Sequence, residues 1–170
     1  MNREALIDLC GSAAREAQIR DDVCSRSVLL GLQAGFPAIT DDMVRMSANL
    51  CGGAASSGGT CGAFACALLA LGLKYNVPLE EELKAPEKFG VGAAKAKELK
   101  GRFVEAFGST LCPGVQKAMY GRSYDFNDAA AVAEYMAIPD HHITCAAVVE
   151  KAARICAELL TAEAEQEERK

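Results

Sequence analysis

Residues 51–75 read CGGAASSGGTCGAFACALLALGLKY, and the two halves of this stretch ask opposite things of the backbone. The first twelve residues hold five glycines. Glycine loses the most conformational freedom on ordering, so this half cannot make a good helix. The second half, from Phe64 to Tyr75, is apolar and helix-forming. The reading is a glycine-rich loop that runs into a central helix, with Cys61 at the junction.

Helical spacing continues on both sides of this stretch. Upstream, Leu6, Leu9, Cys10, Ala13 and Ala17 form one apolar stripe, and Val28, Leu29 and Leu32 form another after the acidic pair Asp21 and Asp22. Thr40 followed by Asp41 and Asp42 is a helix start, a capping hydroxyl followed by carboxylates that suit the positive end of the dipole; that helix runs to about Leu50. Downstream, Asn76 and Pro78 close the central helix. A Lys- and Glu-rich stretch from Glu80 to Lys100 reads as one or two solvated helices broken near Gly90 and Gly92. Leu99, Phe103, Val104 and Phe107 restore an apolar face. Cys112 stands before Pro113, a residue favoured at the first position of a helix. Beyond the polar loop GRSYDFND comes an alanine-rich turn of helix ending at Ile138 and Pro139. Thr144 is then expected to cap the last helix, whose stripe is Val148, Val149, Ala152, Ile155, Cys156 and Leu159.

No stretch alternates with period two, so no sheet is expected. The fold class is all-α: a compact multi-helix bundle forming a single domain over residues 1–170, with a charged tail over 161–170. At 170 residues, with 51% in the hydrophobic set, the chain can fill one core.

Composition also excludes classes of function. Eighteen basic against 23 acidic residues leave a net charge of −5, the wrong sign for binding phosphates, and ten aromatics without tryptophan offer few platforms for bases; nucleic acid is not an expected partner. A membrane span needs about 18 consecutive apolar residues, and the run Ala63 to Leu73 is shorter, so no membrane insertion is expected. Arg3, Glu4 and Asp8 interrupt what would be the apolar part of an export signal, which makes the expected location cytoplasmic.

Eight cysteines, at 10, 24, 51, 61, 66, 112, 145 and 156, dominate the chemistry. A reducing compartment disfavours structural disulfides and directs attention to metal or redox chemistry. No two are three apart, so any shared site must be assembled by the fold. Cys24, Cys61, Cys112 and Cys145 each fall at a predicted helix start, where unpaired backbone N–H groups favour a thiolate. Cys10, Cys66 and Cys156 lie mid-helix on apolar stripes and read as small core residues. Cys51, at a helix end beside the glycine loop, fits either group.

These segments resemble a known family. VCSRSVLLGL, the glycine loop with TCGAFACALLALGLKYN, GSTLC, and TCAAVVEKAARICAELL together resemble the redox-active family named for the pattern C_GCAxxG_C_C, over roughly residues 22–160. The resemblance puts the family's four signature cysteines on Cys24, Cys61, Cys112 and Cys145. It also links the chain to the iron–sulfur-binding part of split-Soret cytochromes, whose dimeric state implies a homodimer here. Two departures stand out: Cys66 replaces the final glycine of the Cys-Gly-Ala-x-x-Gly segment, and Cys51 is additional.

The resulting expectation is an iron–sulfur cluster held by Cys24, Cys61, Cys112 and Cys145, serving electron transfer to an unspecified redox partner protein. A thiol–disulfide oxidoreductase or redox sensor using the same cysteines without metal is the alternative, and whether the chain is an enzyme stays open. Zinc is a further option, with Cys51, His141 and His142 as secondary ligand candidates. The glycine loop lacks the GK[ST] ending of a phosphate-binding loop. Ser56 and Ser57 have no discernible histidine partner, which argues against a serine hydrolase.

Overall fold

The computed structural model describes residues 1–162; the acidic tail 163–170 lies outside the described residues, so the expectation for it is not addressed. Among the described residues the chain forms nine α-helices and no strand, in agreement with the all-α expectation. They are α1 (Arg3–Asp21), α2 (Cys24–Gln33), α3 (Asp41–Ser47), α4 (Gly62–Tyr75), α5 (Leu79–Lys84), α6 (Phe89–Phe107), α7 (Cys112–Tyr120), α8 (Ala129–Met136) and α9 (His141–Thr161).

α1 and α9 pack antiparallel. Arg3 bonds to Thr161, Arg154 to Asp8, and Arg15 to Glu150, so low numbers on one helix meet high numbers on the other. α2 and α4 complete the core with α6, whose Phe103 is fully buried between Phe64 (5.2 Å between ring centroids) and Phe107 (4.9 Å). At the far end, the Tyr75 hydroxyl and the Lys74 ammonium donate to the Leu159 and Leu160 carbonyls, satisfying acceptors that the end of α9 leaves open.

The stripes of α2 and α9 are buried as the spacing predicts, but that of α1 is rotated, and α4, apolar all round, buries its smaller residues in preference to two leucines. On α1 the inner face is Cys10, Ala14, Ala17 and Gln18, whereas Leu9 is partly exposed. On α4, Leu69 and Leu73 are half exposed while Ala67, Ala70 and Leu71 are buried. In both cases small residues are inside because neighbouring helices approach closely there, and the larger ones are left outside.

Two boundaries differ from expectation. α6 runs unbroken through Gly90 and Gly92; the interruption falls at Ala85 (φ −145°, ψ 74°), because the following Pro86 disfavours helical geometry in the residue before it. α9 begins at His141 and not at Thr144, because Asp140 takes a left-handed conformation (φ 56°) and its carbonyl accepts from the Ile143 amide (2.9 Å). The Thr40 cap stands: its hydroxyl accepts from the Met43 amide, and α3 tightens into a 3₁₀ turn over Ala48–Leu50.

Candidate functional site

Each cavity cysteine owes its position to a local feature of the chain. α1 ends at Asp22 in a left-handed conformation (φ 49°) that aspartate tolerates, its amide returning to the Gln18 carbonyl at 2.9 Å. Only Val23 intervenes before α2, so Cys24 becomes the first residue of α2 and is buried beside that turn. Cys51 follows the 3₁₀ turn in extended backbone (ψ 150°) and is half-buried.

The glycine loop then coils in an unusual sense. Gly52, Gly53, Ala54, Ala55 and Ser56 all have φ between 49° and 82°, a left-handed turn in which the Ser56 amide donates to the Cys51 carbonyl and the Gly59 amide to the Gly53 carbonyl. A Cβ on Gly53 would stand 2.5 Å from the Gly59 amide nitrogen, so the loop closes only around a glycine. Three L-residues in this region cost roughly 1–2 kcal/mol each, strain that the surrounding contacts must hold.

Out of the loop, Thr60 and Leu111 form a single antiparallel bridge. The Cys61 amide donates to the Thr110 carbonyl and the Cys112 amide to the Gly59 carbonyl, both at 2.8 Å. This bridge fixes the cap of α4 beside the first residue of α7, and so fixes Cys61 beside Cys112. Both helix-start assignments are thereby met. Cys145 is different: with α9 starting at His141 it sits in the second turn, not at the cap, and shares the cavity wall with Tyr120, whose hydroxyl donates to the His141 carbonyl (2.7 Å).

Cys24, Cys51, Cys61, Cys112 and Cys145 line one cavity of about 320 Å³. The wall between them is mostly apolar, with Ala63, Val115, Met119, Val148 and Val149. The structure brings together the four predicted cysteines and Cys51, and keeps the core cysteines apart from them: Cys10, Cys66 and Cys156 are fully buried and none lines the cavity. His141 turns Nε2 to the Asp22 carboxylate (3.3 Å) and Nδ1 to the Ile138 carbonyl (3.3 Å), while His142 stacks edge-on to it; neither lines the cavity.

The helix-start argument expected thiolates at the four predicted positions, and burial reverses it. Desolvation pushes the Cys112 and Cys145 thiols up to about 12, and raises Cys61 although the Phe64 and Ala63 amides favour its thiolate. Cys51 goes the other way. The Cys24 sulfur lies 3.7 Å from that of Cys51 and donates to it, lowering Cys51 to about 6 and holding Cys24 well above the usual thiol range.

Three polar groups at the cavity escaped the sequence reading. Gln18 is 1% exposed; its amide nitrogen donates to Asp22 (2.7 Å) while Oε1 is buried with no hydrogen-bond partner. Gln116 donates to the Cys112 sulfur (3.6 Å) and accepts from the Tyr124 amide (2.7 Å). Tyr135 packs on Tyr120 and Phe126 in an aromatic wall. Only Gln18 left a sequence signal: a glutamine four residues after Ala14 on a helix face otherwise made of small residues.

As a test of fit to a metal, the donor set is five buried or half-buried cysteine sulfurs on the walls of a space larger than one ion. Among the described residues no three Cys, His, Asp or Glu side chains converge closely enough to hold a single ion. The five cysteines stand on the walls of one volume and not around a single point. Among the described residues no helix is long and apolar enough to cross a membrane. No curated protein and no solved structure matches the chain. A family model does, over residues 23–159, with the description "Putative redox-active protein (C_GCAxxG_C_C)". With the match covering most of its length, this chain belongs to the C_GCAxxG_C_C family of redox-active proteins.

Proposed function

We propose that the chain is an electron-transfer protein in which Cys24, Cys61, Cys112 and Cys145 hold an iron–sulfur cluster in the cavity. The observation that carries this reading is selective convergence: the four cysteines come from the starts of three helices and the second turn of a fourth, while the three core cysteines line none of the cavity. When bound, such a cluster supplies one-electron chemistry at a potential set by burial and hydrogen bonding. The chain's own residues provide both controls. The apolar wall limits water. Backbone amides already face the sulfurs, that of Gly52 at Cys51 and those of Ala63 and Phe64 at Cys61, and Gln116 adds a side-chain donor at Cys112. The raised thiols of Cys61, Cys112 and Cys145 surrender their protons to a cation and not to solvent at neutral pH, so uptake releases protons and weakens as pH falls.

The test is iron, zinc and acid-labile sulfide content with a visible spectrum, on protein purified without oxygen. Stoichiometric iron and sulfide with broad charge-transfer absorption are expected, and are lost in Cys61→Ser and Cys112→Ser. Full iron content in the Cys61→Ser variant would overturn the four-ligand assignment, and zinc without sulfide would replace the cluster by a structural site.

A further inference from the structure

In the family resemblance the four signature cysteines fall on Cys24, Cys61, Cys112 and Cys145 and Cys51 is additional, yet its sulfur stands 3.7 Å from that of Cys24. The two differ in access and in freedom. Cys24 is 9% exposed, locked in the first turn of α2, with its sulfur against Gly62. Cys51 is half-buried at the cavity wall, outside any helix, and is followed by Gly52 and Gly53. A disulfide needs about 2.05 Å between sulfurs, so the pair must close by about 1.7 Å, a movement that the non-helical Cys51 can supply alone.

We propose that Cys51 and Cys24 form a reversible disulfide that withdraws Cys24 from the cavity's ligand set, so that the disulfide and metal-holding states of this chain are alternatives. Its functional meaning rests on the cluster reading, whereas the pairing is a property of the thiols themselves. The oxidant is a low-molecular-weight disulfide. The accessible Cys51 thiolate attacks one of its sulfurs, its S–S bond breaks, and one small thiolate leaves and takes up a proton. Cys24 gives up its proton to solvent and attacks the Cys51 sulfur of the mixed disulfide; the Cys24–Cys51 bond forms and the second small thiol departs. Two protein thiols lose two electrons, and the small disulfide is reduced to two thiols. A small dithiol reverses both steps.

The same 3.7 Å spacing would also suit two thiolates on one tetrahedral ion, since two sulfurs each about 2.3 Å from a metal lie about 3.8 Å apart. In that case Cys51 is a ligand and not a switch, and the experiment separates the two.

Metal-free full-length protein is treated with oxidised glutathione, freed of it, counted for thiols and mapped by mass spectrometry. It is then offered iron and sulfide before and after reduction with a dithiol. The expected result is a fall from eight thiols to six, a single Cys24–Cys51 peptide pair, and at least a tenfold loss of iron uptake that reduction restores. Cys51→Ser is expected to keep seven thiols and to take up iron whether or not it has met the oxidant. A different pair, no pair, or loss of iron from reduced Cys51→Ser overturns the proposal. Should reduced wild-type protein take up no iron while the Cys24–Cys51 pair forms, the pairing stands and the cluster reading fails.

Discussion

Gly62 lies so close to Cys24 that a Cβ built on it would stand 2.9 Å from the Cys24 sulfur and 2.7 Å from the Leu50 carbonyl oxygen. This contact lets the start of α4 meet the start of α2, and it is what brings Cys61 into the same cavity as Cys24 and Cys51. The neighbouring carbonyl is backbone and cannot swing away, so Gly62→Ala is expected to destabilise the fold by about 1–3 kcal/mol through overpacking. In a chain of this size that lowers Tm by several degrees. Iron binding is expected to fall more than the loss of stability explains, because the shift separates Cys61 from Cys24. A thermal melt paired with iron content checks it; an unchanged Tm with full iron would refute the close-approach argument.

Ala54 sits in the left-handed turn at φ 65°. Releasing an L-residue from that conformation gains roughly 1–2 kcal/mol. The greater freedom of glycine in the unfolded chain returns about 0.4–1 kcal/mol of it. Ala54→Gly is therefore expected to stabilise the protein by about 0.5–1 kcal/mol, a rise of roughly 1–4 °C in Tm. A fall in Tm would mean that the loop is not strained at this residue.

The Cys51 thiol is lowered to about 6 because Cys24 donates to its thiolate. A depressed thiol pKa means that the reactive form is present above that pH and lost below it. In metal-free protein, alkylation of Cys51 by iodoacetamide is expected to rise through about pH 6 and level off by neutral pH. Cys24→Ala removes the donor, so the rise should move toward the ordinary thiol value of 9.0. Peptide-resolved alkylation rates between pH 5 and 10 test this, and an identical profile in the variant would show that Cys24 is not the cause.

Cys156 is fully buried on α9, its thiol directed at the Ala67 carbonyl at 3.4 Å. Serine there buries a more strongly polar hydroxyl among apolar neighbours, at a cost of about 1–3 kcal/mol. Iron content is expected to stay at the wild-type level, in contrast to Cys61→Ser. Urea unfolding gives the first quantity and metal analysis the second; loss of iron at wild-type stability would bring Cys156 into the site.

The amino-acid sequence by itself determined the helical class, the glycine loop before α4, and the position of Cys24, Cys61 and Cys112 at helix starts, because spacing, capping residues and Pro113 act within one turn of the chain. It also separated Cys10, Cys66 and Cys156 as core residues, since small apolar side chains on a helix face are read from their immediate neighbours. The start of α9 was not legible, because the left-handed Asp140 that begins it replaces a side-chain cap with backbone geometry. The rotation of α1, which places Gln18 inside, and the choice of face on α4, which leaves Leu69 and Leu73 outside, depend on how closely other helices approach. The ionisation of the cavity thiols needed tertiary structure most of all. A helix start favours a thiolate wherever it lies in space, but only packing decides whether desolvation overrides it, as at Cys61 and Cys112, or whether a second sulfur stands near enough to donate, as Cys24 does to Cys51.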